Sequence, residues 1–464
     1  MRTRLAGIEY LCTFDDAPST MQPGPAGTEL RDSQVVIVDG VIEQVAPDGT
    51  PPPGPVDETV DCSGLVVLPG LVNAHQHLYQ GACRAVPSLE RALIGPWLGG
   101  LGALVKGWYA DGRFGPDAVQ AISAAVLTES LLGGVTTVAD QHYFFPAGAS
   151  LPYVEATFAA ADEVGVRLHA CRGSITMGPD PDVTQTVDEV VAHSASLIDA
   201  FHDAAPGARR RVALAPCGPH VDELALFDEL AALAADHDAV RLHTHLYEHV
   251  DTDACRTRYD ATPWEILQQH GWGQDRTWIA HVVDIPHHEI AEMAAAGVAV
   301  AHLVAPDLRM GWGLAPLRQF LDTGCTVGFG TTGSASNDGA NLLGDLRLAA
   351  LAHRSSDPDD PSRWPTAREL LRAATRGSAA CLGRDDLGAI APGMRADLAG
   401  WDLRTVDRVG VHDPVAGLLL TGLSSRASLV MVEGDVLVRN GEPTRLDVAA
   451  VAARARAAVP PLPG

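Results

Sequence analysis

Eight times along its middle, the chain passes through a short run rich in Val, Ile and Leu and then continues into a helix-period segment. These runs cover 65–75, 134–142, 165–174, 211–220, 240–248, 277–283, 297–306 and 325–333. They read as buried strands. Between them lie segments such as "DAVQAISAAVLTESLLGG" and "ELALFDELAALAADHD", several of them stopped by glycine. Eight parallel strands joined by crossover helices predict an α/β fold, a (β/α)8 TIM barrel, which gathers reactive groups where its strands end. An open doubly wound sheet is the alternative, but no G-x-G-x-x-G follows the first run.

The two ends of the chain follow another rule. Short strand-like runs with turn signals fill the first 66 residues, with Asp39-Gly40 suited to a tight hairpin. The same style returns in "RADLAGWDL" and in "ASLVMVEGDVLVRNGEP", which turns near Glu433-Gly434-Asp435. A small β-sandwich built from both termini is expected, with residues 1–66 as its first part, the barrel over 67–390, and 391–464 as its second part. The helical "LDVAAVAARARAA" is expected on the outside of that sandwich.

Composition removes several functional classes. A formal charge of −25 at pH 7 opposes nucleic acid and anionic membrane surfaces, because every phosphate contact would work against a repulsive field. No 18 apolar residues run together, so a membrane span is not expected. The eight cysteines show no C-x-x-C spacing and read as reduced thiols of a cytoplasmic protein.

The chemistry lies in how the runs end. His75 and His77 close the first, His142 the second, His245 the fifth and His281 the sixth, while His302 lies on the seventh. In an extended segment His75 and His77 share a face. His75, His77 and His245 can hold one Zn²⁺-like ion with an open position, where the pKa of water falls from roughly 15.7 toward about 7. Glu248, three residues past His245, is the candidate proton carrier, because a carboxyl buried in that loop would have a raised pKa. His281 is either a fourth ligand or a group that positions the water. His243 shares the face of His245 but sits deeper and reads as core. His142 and His302 are candidate lining residues, and His287 and His288 open a solvated helix.

With "PGLVNAHQH", "HTHLYE" and "AHVV" in this order, the chain resembles the amidohydrolase superfamily, in its branch of cyclic-amidine deaminases and triazine hydrolases. "HQHLYQGACRAVPSLER", "APDLRMGWGLAP" and "GFGTTGSASNDG" are similar to the triazine hydrolases. The resemblance implies the barrel with its split sandwich, one zinc per chain with Fe²⁺ as the alternative, a heterocyclic small-molecule substrate and a homodimer. Strand eight usually ends in a metal-binding Asp in that superfamily; here Thr332 takes the position, as in the triazine branch, and becomes a candidate ligand. A threonine cannot serve as a base near pH 7, so proton transfer falls on Glu248. Chloride and thiolate depart without protonation and an amine does not, which favours displacement of chloride, a thioether or a similar group from an s-triazine-like ring. The alternative is an aminohydrolase of a purine, pterin or hydroxytriazine, such as guanine or 8-oxoguanine. Trp97, Tyr143, Phe144, Met310 and Trp312 are the candidates to sandwich a flat ring, and Cys217, expected at the end of strand four, to line the pocket.

Overall fold

The computed structural model describes residues 1–17, 27–146, 148–178, 180–421 and 426–462. Its centre is a ring of parallel strands at Leu71–His77, Val135–His142, Arg167–Arg172, Arg210–Leu214, Arg241–Leu246, Thr277–His281 and Ala299–His302, completed by an eighth in two pieces, Val327–Phe329 and Thr332–Gly333. The first piece of strand eight pairs with strand seven and the second with strand one. Between the pieces, Gly330 N–H donates to the His302 carbonyl at 3.2 Å and Thr331 N–H to the His75 carbonyl at 3.1 Å, which closes the ring. The lumen is lined mainly by small residues, among them Ala74, Ala139, Ala213, Ala215, Ala299 and Ala301, and Trp278 fills the space they leave. Helices cover the outside; those at Pro263–Gln269 and Ala367–Arg372 open on Thr-x-x-Glu capping boxes.

Two expectations about the elements change. The run 65–75 is not one strand: Leu65–Pro69 pairs in the terminal sheet, and the barrel strand begins at Leu71. The break falls at Gly70, where an added Cβ would lie 2.3 Å from the Thr136 side chain. Both halves are buried, so hydrophobicity alone carried no mark of the change of sheet. The C-terminal helix, Val448–Ala458, packs against the barrel helix Pro116–Leu132 and not on the sandwich.

The termini together form a mixed sheet of nine strands, in which Leu65–Pro69 from the N-terminal part pairs with Leu398–Asp402 from the C-terminal part. It curls over its own core of Leu5, Ile8, Val35, Val67, Leu398 and Met431. Asp39 and Gly40, both at positive φ, make the two-residue turn between Val38 and Val41. Glu433 and Gly434 do the same between Val432 and Asp435. Arg167 of barrel strand three fastens the two units. Its guanidinium is wholly buried and pairs with both oxygens of Asp397, at 2.8 and 2.9 Å, and with Glu433. None of the eight cysteines forms a disulfide, and no helix among the described residues is long and apolar enough to cross a membrane.

Candidate metal centre and active site

His75, His77 and His245 meet at the carboxyl end of the barrel, all buried, with one ring nitrogen from each within 4.8 Å of the others. The groups behind the rings settle which nitrogen faces the centre. His77 Nδ1 lies 2.7 Å from the Gln141 carbonyl oxygen, and His245 Nδ1 lies 2.8 Å from that of Cys217. A carbonyl only accepts, so both Nδ1 atoms donate and both Nε2 atoms keep their lone pairs. Those two Nε2 atoms stand 3.4 Å apart. His75 Nε2 is buried with no hydrogen-bond partner. Burial pushes the His77 pKa down to about 3 and, with the neighbouring imidazoles, holds His75 and His245 well below the ordinary value. Neutral rings that turn lone pairs toward one another need a cation between them, and three imidazole nitrogens suit zinc. Thr332 Oγ1, at the end of strand eight, is also buried without a partner. Thr332 holds φ at +57°, rare for a β-branched residue, while its backbone pairs with strand one.

A second group of polar side chains stands beside the three rings. Glu248 lies in a loop where Tyr247 and His249 both take positive φ. The Asp251 carboxylate pins that loop by accepting the Tyr247 N–H at 2.6 Å and the Glu248 N–H at 2.7 Å. Glu248 Oε1 faces His281 Nε2 at 3.4 Å, and His281 Nδ1 is 2.6 Å from Asp307 Oδ1. Burial raises the Glu248 pKa to about 7, with His281 opposing the shift and Asp251 and Asp307 adding to it. Burial works against charge on His281, but Glu248 and Asp307 outweigh it and raise its pKa.

The pocket over this centre is lined by Trp97, Tyr143, Cys217, Met310, Trp312 and Thr332 together with His77, His245, Glu248 and His281. Trp312 meets the His281 ring edge-on at 5.3 Å. Three expectations fail here. Phe144 faces away and stacks on Tyr109. His142 is held between Tyr79 and Phe145, and His302 bonds His353 at 2.8 Å; neither lines the pocket. Cys217 does line it, but from the loop after strand four, which ends at Leu214; the loop is held by Asp222, whose Oδ2 accepts the Cys217 N–H at 2.7 Å. Burial pushes the pKa of the Cys217 thiol well up. His287 and His288 are exposed, as expected. Sequence reasoning passed over three residues: Gln80 and His220, which line the pocket, and Asp307, which anchors His281. Asp307 sits inside "APDLRMGWGLAP", and an acid just past a barrel strand was the available signal.

A barrel whose strand ends bring three histidine nitrogens together under a buried carboxyl defines a metal-dependent hydrolase. The particular family follows from comparison: the chain belongs to the amidohydrolase family, whose model matches residues 66–437. The crystal structure of atrazine chlorohydrolase from Arthrobacter aurescens TC1 complexed with zinc shares 52% sequence identity, with a TM-score of 0.94 over 99% of this chain and 100% of that one. The 8-oxoguanine deaminase of Pseudomonas aeruginosa is 37% identical over 91% of this chain and 93% of its own. The hydroxydechloroatrazine ethylaminohydrolase of Pseudomonas sp. strain ADP is 33% identical over 91% and 89%.

Proposed function

We propose that this protein is a zinc-dependent hydrolase that uses water to displace chloride, a thioether or a similar substituent from an s-triazine-like ring. The observation that carries this reading is the acid content of the pocket. Glu248 is the one carboxyl among its described lining residues, and strand eight ends in the neutral Thr332. A single proton carrier suits a leaving group that departs as an anion. The zinc-complexed chlorohydrolase, similar over nearly the whole chain, supports the same reading.

Zinc held by His75, His77 and His245 would supply the Lewis acidity that makes water nucleophilic at neutral pH. Glu248 takes the proton of the attacking water on a carboxylate oxygen and delivers it to the ring nitrogen beside the attacked carbon. The water oxygen bonds to that carbon, the carbon–chlorine or carbon–sulfur bond breaks, and the leaving group takes the bonding pair. His281, fixed by Asp307, holds the Glu248 carboxyl in place, and the Thr332 hydroxyl orients the water. Trp97, Tyr143, Met310 and Trp312 confine the flat ring, and Cys217 fills the wall beside His245.

The second reading, an aminohydrolase of a purine, pterin or hydroxytriazine, is favoured by the deaminase and the ethylaminohydrolase among the relatives. The test is kcat/KM for matched chloro-, methylthio- and amino-substituted triazines, pyrimidines and purines, following chloride, thiol and ammonia. Chloro- and methylthio-triazines are expected to lead. Faster ammonia release from guanine, 8-oxoguanine or a pterin than any displacement of chloride or thiolate would put the second reading in place of the first.

A further inference from the structure

The three rings of the metal centre are not supported alike. His77 and His245 each lean on a backbone carbonyl, whereas His75 Nδ1 meets a side-chain nitrogen, His243 Nε2, at 2.8 Å. Two facing imidazole nitrogens do not say which of them carries the proton. The next contact does: His243 Nδ1 lies 2.9 Å from the carbonyl oxygen of Trp278, its register partner on strand six. Since the carbonyl accepts, His243 Nδ1 donates, and a neutral imidazole that holds its one proton on Nδ1 presents a bare Nε2, which accepts. His75 Nδ1 must then donate, which leaves the lone pair on His75 Nε2, the buried atom without a partner.

We propose that His243 is a positioning residue of the metal centre: a relay from the Trp278 carbonyl through His243 fixes the His75 tautomer that can bind zinc. Among the described residues, the hydrogen-bond partner of His75 Nδ1 is His243 Nε2. The relay is itself braced. The His243 ring stacks on the Trp278 indole with centroids 4.3 Å apart and planes 14° apart. Trp278 Nε1–H donates to the Ala74 carbonyl at 3.0 Å, one residue before His75, so the strand that supplies the relay also holds the strand that receives it. Were the His75 proton on Nε2, this ring would turn an N–H toward the centre and could not ligate. An acceptor behind Nδ1 also makes Nε2 a stronger donor to the metal.

The inference rests on the zinc centre of the proposed function, and its test separates the two. His243→Phe keeps a flat ring on Trp278 but removes the acceptor. His243→Gln offers an amide oxygen to His75 and an amide N–H to the Trp278 carbonyl. Zinc dissociation constants are measured by competition with a chelator, beside the melting temperature of the metal-free proteins. The second measurement is the ¹⁵N imidazole spectrum of metal-free wild type. His243→Phe is expected to bind zinc about 10- to 100-fold more weakly, with most of the loss recovered in His243→Gln. His75 in wild type is expected to carry its proton on Nδ1. Zinc binding by a folded His243→Phe within twofold of wild type overturns the relay, and so does a wild-type His75 protonated on Nε2, which decides the matter even where neither variant folds. Absence of zinc binding by wild type would instead strike the metal centre.

Discussion

Replacing Glu248 by Gln removes one exchangeable proton site and almost nothing else. The amide has the volume of the carboxyl and keeps an oxygen toward His281, 3.4 Å away, while the Asp251 contacts that hold the loop are made by the backbone. Zinc content and substrate affinity should therefore survive, and the loss should appear in kcat. One positioned proton transfer is worth about 10² to 10⁴ in rate, or roughly 2.7 to 5.5 kcal/mol of barrier. Stability should move the other way. Burial raises the Glu248 pKa from 4.5 to about 7, so between these values the folded chain holds a proton that the unfolded chain has released. Folding then becomes less favourable as pH rises through that window, by as much as about 3 kcal/mol at pH 8 for a shift of this size. The Gln variant, free of that penalty, should be the more stable of the two metal-free proteins at pH 8, and equal to wild type near pH 4. Wild-type kcat/KM should fall on the acid side with a midpoint at or below about 7, since a bound cation favours the carboxylate, and the variant should lose that limb. Single-turnover kinetics, zinc analysis and urea denaturation at two pH values measure all of this. A Gln variant with more than a tenth of wild-type kcat, or one less stable than wild type at pH 8, would refute the reasoning.

Thr332→Asp would add a carboxyl beside the metal ligands and should shift relative kcat/KM toward amino-substituted rings; an unchanged chloro-to-amino ratio would argue against Thr332 as the determinant of leaving group. Elemental analysis should find zinc in the purified protein, and His77→Ala should lose both metal and turnover; full activity after exhaustive chelation would contradict the metal centre. Asp397→Ala would strip the bidentate partner from the wholly buried Arg167 and should destabilise the protein by about 3 kcal/mol in urea unfolding, without altering kcat/KM at temperatures where it remains folded.

Much of the centre was legible before any coordinates. His75 and His77 announce themselves by spacing alone, because alternation along a strand puts both on one face, and His245, Glu248 and His281 by recurring just where buried runs end. The hairpin turns were equally plain, since Asp-Gly and Glu-Gly can take the positive φ that a two-residue turn demands. Less was available wherever the pattern lacked contrast. The change of sheet at Gly70 lies inside an unbroken apolar run, and the C-terminal helix shows an apolar stripe without showing which surface it covers.

What the sequence determined by itself is the sum of local rules: strand and helix periods, turn chemistry, and the identity of the groups at the strand ends. Ring closure, and the relations that closure creates, belong to the tertiary structure. His142 and His245 end their strands in the same way, yet one is stacked between two aromatic rings and the other faces the metal centre. Asp307 becomes the anchor of His281, and His243 the partner of His75, across 26 and 168 residues of chain. Which nitrogen of each imidazole holds the proton is likewise decided by a carbonyl or ring behind it. Hydrogen bonds act over about 3 Å of space, whatever the length of chain between donor and acceptor.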